Sequence, residues 1–136
     1  MKAITSLGAG ALALALSFPA LAAGLPQAKT EHGITYVSGG IGQGESTAMK
    51  AAEKNYPLSL TLSAGRHDEY LASVPLTIKN AKGETLLDAK AGPIVLVKLP
   101  AGKYRIAATR RGKSVQRTVR VTAKGERQVN LHWPKA

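Results

Sequence analysis

From Leu58 to Trp133 the chain is a succession of short alternating apolar segments, cut by turn residues about every ten positions. That periodicity constrains the fold more than any other feature, because period-two alternation suits a half-buried strand and no helix. Leu58, Leu60 and Leu62 alternate with Ser59, Thr61 and Ser63. Leu71 to Ile78 continues the pattern, with Pro75 suggesting an edge or bulge position. Asn80-Ala81-Lys82-Gly83 is a turn before Glu84 to Ala89, and Gly92-Pro93 opens Ile94 to Leu99. Pro100-Ala101-Gly102, Arg111-Gly112 and Ala123-Lys124-Gly125 then separate Lys103 to Arg110, Lys113 to Val121 and Glu126 to Trp133. Ile34 to Val37 is an earlier strand, preceded by an unpatterned polar lead-in over Gly24 to Gly33. The expectation is a mainly β protein: one antiparallel sandwich of about seven strands.

One helix is expected, over Ser46 to Lys54 with Ser46 as N-cap. Ala48, Met49, Ala52 and Tyr56 form its apolar stripe, and at about nine residues it needs a surface to pack on. The last strands have a readable phase. If Arg111-Gly112 is a two-residue loop, Tyr104 stands opposite Val119, Ile106 opposite Arg117 and Ala108 opposite Val115. The core expected from this alternation is Leu60, Leu76, Ile78, Leu99, Tyr104, Ile106, Val119, Val129 and Leu131, with Trp133 closing one end. Arg117 is out of phase, as a charge at an edge or in a bulge would be.

Residues 1–22 read as a cleaved signal peptide. Lys2 precedes an Ala/Leu-rich stretch, Pro19 ends it, and Ala20-Leu21-Ala22 supplies small residues for cleavage before Ala23. The expected product is a single domain over 23–136, periplasmic or secreted, with no transmembrane segment after cleavage. The chain has no cysteine, which excludes a disulfide framework, a thiolate nucleophile and a lipid-bearing cysteine.

Residues 70 to 133 resemble the carboxypeptidase regulatory-like domains. The resemblance is carried by Val74-Pro75-Leu76-Thr77-Ile78, the turn at Asn80 to Gly83, and Leu99-Pro100-Ala101-Gly102-Lys103-Tyr104-Arg105-Ile106. Gly112 and Thr118-Val119-Arg120-Val121 fit as well, whereas Gly92 is followed by Pro93 and Ile94 where that family carries a large or aromatic residue. The resemblance implies a transthyretin-like, Greek-key β-sandwich in which the Leu and Tyr of the Leu-Pro-x-Gly-x-Tyr turn enter the core. It also implies an accessory, non-catalytic module, with no catalytic residues to carry over.

The chemistry-bearing patterns are sparse. Gly39, Gly40, Gly42 and Gly44 precede the helix as a phosphate loop would, but Glu45 stands where a dinucleotide loop has glycine and no Gly-Lys-Ser/Thr follows. Glu45 also brings negative charge to the place a phosphate would occupy. His67-Asp68-Glu69 is the densest titratable cluster, without the spacing of a zinc protease. With a distant histidine it supplies the alternative reading, a small metal-dependent or hydrolytic enzyme. No Gly-x-Ser-x-Gly elbow is present. No catalytic, metal or cofactor-binding residue is assigned, and no cofactor is called for.

Charge is the stronger signal. The net charge is +11, and ten of those charges lie in residues 98–136, where eleven bases face Glu126 alone. On the expected hairpin Lys103 pairs across from Arg120 and Arg105 from Thr118, while Arg110, Arg111 and Lys113 crowd the tip. Like charges directly opposite cost stability, so an anionic partner is inferred. The candidate anion-binding surface is therefore Lys103, Arg105, Arg110, Arg111, Lys113 and Arg120, read as one contiguous patch. In the envelope its partner would be lipopolysaccharide, anionic lipid or an acidic protein. Aromatics make up 4% of the chain, too few for a base-stacking platform, so nucleic acid is not favoured.

Overall fold

The computed structural model describes residues 24–136; the expected signal segment lies outside them. Its elements are β1 (Lys29–Glu31), β2 (Ile34–Gly39), α1 (Gln43–Ala52), β3 (Leu58–Ala64), β4 (Glu69–Tyr70), β5 (Val74–Asn80), β6 (Thr85–Ala91), β7 (Ile94–Lys98), β8 (Gly102–Arg110), β9 (Lys113–Val121) and β10 (Arg127–Trp133). They form a β-sandwich with one short helix. The larger sheet runs β1-β2-β7-β3-β10, with β4 also on β3, and the smaller runs β6-β5-β8-β9.

The leucines of β3 enter the core between the sheets, where they meet Leu76 and Ile78 of β5, Ile106 of β8 and, from their own sheet, Leu131 of β10. All ten residues expected in the core are buried. The hairpin register matches the expected pairs, Tyr104 with Val119, Ile106 with Arg117 and Ala108 with Val115. Arg117 remains exposed because β9 is the edge of its sheet. At the Leu99–Tyr104 turn, the buried Tyr104 donates its hydroxyl to the Pro100 carbonyl at 2.7 Å, which ties the turn to the strand it starts. Burial raises the Tyr104 phenol above its ordinary pKa.

β7 explains the third layer. Ile94, Val95, Leu96 and Val97 are all wholly buried. Val95 and Val97 join the core between the sheets, while Ile94 and Leu96 pack with Val37 under Met49 and Ala52 of α1. A strand covered on both faces has no use for polar residues, hence the unbroken apolar run.

Several details depart from the sequence reading. The helix begins at Gln43, because Gly42 at φ 88° turns the chain into it, and Ser46 is not its cap. Its expected stripe holds, with Met49 and Ala52 buried and Tyr56 half-buried beyond its end. The lead-in is partly ordered as β1, whose Thr30 pairs with Thr35. With β4 this brings the strands among the described residues to ten, both additions being too short to show alternation. Pro75 lies on an interior strand, but it stands before the first β5–β8 pair, Leu76 with Ala108, so its missing N–H falls where that ladder has not begun. One pairing is parallel: β10 runs beside β3 from Arg127–Leu58 to Trp133–Ala64.

Candidate anion-binding surface

The outward face of the smaller sheet is built by parity. Along β8, Tyr104, Ile106 and Ala108 are buried, so Lys103 and Arg105 stand on the solvent side. Lys103 pairs with Arg120 of β9, and Arg105 sits between Thr118 of β9 and Lys79 of β5. Residues directly opposite have side-chain origins ~5 Å apart, and neighbours two along a strand are ~7 Å apart. Lys79, Lys103, Arg105 and Arg120 are therefore one cluster of four cations. A cavity of about 280 Å³ opens beside three of them, lined by Lys79, Asn80, Lys103, Arg105 and Thr118.

Among the described residues, the carboxylate pairings within 4.0 Å are His32 with Glu31 and His132 with Asp68. No lysine or arginine takes part. The cluster thus holds its charges without internal neutralisation.

The six expected residues do not make one patch. Arg110 lies five positions from Arg105, ~17 Å along an extended strand. An odd separation also reverses the face, so Arg110 and its partner Lys113 fall on the core-facing phase, beyond the last core residue. Arg110 donates to the Lys135 carbonyl at 2.9 Å and Arg111 to an oxygen of Ala136 at 3.1 Å. The spacing exceeds the ~8 Å Debye length at physiological salt, so sheet face and hairpin tip act separately there. The sequence reading missed Lys79. Its outward phase was readable, but no local pattern places β5 beside β8.

Folding gathers one set of residues that the sequence scatters. Asp68 approaches His132 at Nδ1 (3.3 Å), and the Ser63 hydroxyl lies 3.0 Å from the same nitrogen. A nucleophile relay needs the hydroxyl on one ring nitrogen and the carboxylate on the other. Here both share one, an arrangement that orients the imidazole without forming that relay, and the serine is buried. His67 and Glu69 are exposed, and no group of three potential ligands able to hold a metal occurs among the described residues.

The glycine-rich segment has its anion already. The Glu45 carboxylate accepts the Gly40 N–H at 2.7 Å, and a side chain on Gly39 would collide with Glu45 and Pro26. The loop folds around its own acid, which occupies the place of an external phosphate.

A family model described as the Rhizobiales growth-associated tandem repeat domain matches residues 57–133. The chain belongs to this family. No curated protein matches the chain. The growth-associated repeat domain here takes in β3 to β10, and with them both cationic groups. Its larger sheet is extended by residues from outside the matched segment, since β2 pairs with β7 and α1 covers Ile94 and Leu96.

Proposed function

We propose that this growth-associated repeat domain is a non-catalytic, exported binding module of the bacterial envelope that holds a phosphate-bearing lipid surface on its smaller sheet. The observation that carries the reading is the cluster of Lys79, Lys103, Arg105 and Arg120, set side by side with no carboxylate partner. Four cations held together at a cost in stability are worth most where a polyanion neutralises them. Export rests on the signal-like residues 1–22, and an accessory role on the likeness to carboxypeptidase regulatory-like domains. The two-sheet sandwich and the buried Leu99 and Tyr104 support a transthyretin-like arrangement.

The test is co-sedimentation with lipopolysaccharide and with vesicles containing phosphatidylglycerol. Binding is expected at low salt and should fall steeply toward the ionic strength at which screening acts over ~8 Å. Changing Lys79, Arg105 and Arg120 to Ser should abolish it without loss of fold. Equal binding by this variant, or no binding by the parent at low salt, refutes the reading. Retention on acidic protein with none on vesicles would redirect it to a protein partner.

The enzyme alternative keeps one supporting observation, the approach of Asp68 to His132. Stoichiometric zinc in protein purified without a histidine tag, lost on His67→Ala, would favour it over the binding module.

A further inference from the structure

We propose that the end of the sandwich beneath the β8–β9 turn binds a small amphipathic anion, an acyl chain ending in an acidic head group. A cavity of about 380 Å³ lies there, lined by Arg110, Arg111, Lys113, Trp133, Pro134 and Lys135. That volume lies within the ~300–1,000 Å³ of small-ligand sites. The lining is mostly apolar, with Pro134 and the edge of the nearly buried Trp133 in it, and it carries four cations beside Ala136.

The lining is fixed before any ligand arrives. Trp133 donates its indole N–H to the Lys113 carbonyl at 3.0 Å, which pins the ring beneath the turn. Arg110 donates to the Lys135 carbonyl and Arg111 to an oxygen of Ala136, the last residue of the sequence, and these contacts orient the two guanidinium groups. Each guanidinium has five donors and uses one here, so the others are free for an oxyanion. The turn itself favours Asn followed by Gly, since both central residues take positive φ, 52° at Arg111 and 77° at Gly112. An arginine in that place bears a backbone cost that its position over the cavity accounts for.

The two chemistries select the occupant together. An inorganic anion would leave the apolar part of the lining uncovered. A neutral hydrophobe would leave four cations unused. The cavity is concave and lies ~17 Å along the strand from the sheet-face cluster, so this site is distinct from the membrane-binding surface and does not depend on it.

Trp133 is the protein's one tryptophan, so its emission reports on this cavity. The experiment titrates the purified protein with dodecyl phosphate below its micelle concentration, following emission and binding heat together. Inorganic phosphate and dodecyl maltoside are run alongside. The expected result is a saturable emission change with dodecyl phosphate and none with the other two. Arg110→Gln with Lys113→Gln should weaken the affinity by about tenfold or more, the scale of one lost charge-assisted bond. Lys79→Ser with Arg105→Ser should leave it unchanged, although that change would disrupt vesicle binding. The proposal is overturned if dodecyl maltoside or phosphate alone reproduces the signal, or if heat appears without an emission change. It also falls if neither signal appears, or if the Arg110 and Lys113 variant binds as the parent does.

Discussion

Replacing Met49 with alanine tests whether the helix is held by one side chain. Met49 is wholly buried among Val37, Ala52, Ile94 and Leu96, in a cluster with five buried members. Removing a buried methionine costs ~2–5 kcal/mol, the upper part of that range applying where the surroundings cannot close the gap. The strands below are fixed by ladders on both sides, so closure would have to come from α1. At ten residues the helix falls short of the ~12–15 needed for marginal stability alone. With its anchor gone it should detach before the sandwich opens, at a cost of ~3 kcal/mol in helix docking. The assay is urea unfolding followed by far-ultraviolet circular dichroism and by Trp133 emission, since Trp133 lies in the core on the other face of the sheet. The parent should show coincident transitions, and the variant a helical loss preceding the tryptophan change. Coincident transitions in the variant with a loss under ~1 kcal/mol would refute the argument that Met49 holds the helix.

Gly92→Ala should be markedly more destabilising than Gly83→Ala, as compared by thermal melts. Both glycines have positive φ, 109° and 85°, but only at Gly92 would a Cβ meet backbone, 2.7 Å from the Leu71 carbonyl oxygen. Arg111→Asn should raise stability by about 0.5–1 kcal/mol in urea titrations, because Asn suits the positive φ of the turn. The Glu53 carboxyl is pushed above its ordinary pKa, chiefly by burial and further by Glu126, against the opposing effect of Lys50. Its folded form therefore holds its proton more tightly than its unfolded form, and stability falls as pH rises from the ordinary carboxylate pKa through the raised value. Glu53→Gln keeps an oxygen for Gln128, which donates at 3.0 Å. Urea midpoints of this variant should lose that part of the pH slope and equal or exceed the parent's at neutral pH.

How much of this was legible depended on the range of the interaction. The β8–β9 hairpin could be read residue by residue because its loop is short and its alternation clean. The face that Ile94 and Leu96 present to α1 was hidden, since an unbroken apolar run marks a strand without saying what covers each side. Lys79 joined the cationic cluster through pairing between strands distant in sequence, beyond the reach of local pattern. The division of the basic patch was within reach: Arg105 and Arg110 are an odd number of residues apart on one strand, and odd spacing places them on opposite faces. Asp68 and His132 met only through the parallel placement of β10 on β3, for which periodicity carries no sign.

That parallel placement also sets the order in which the protein can assemble. Ser63 and His132, neighbours across the β3–β10 ladder, are separated by 69 positions. Local hairpins such as β8–β9 gain pairing soon after a small loop closes, whereas this ladder waits for closure of a loop spanning about half the chain. Until β10 docks, β3 keeps an open side, and Val129, Leu131 and Trp133 are missing from the core. A nascent chain is thus left without a complete larger sheet until β10 is available. The Trp133 cavity forms at that same late step, so ligand binding there would report completed folding.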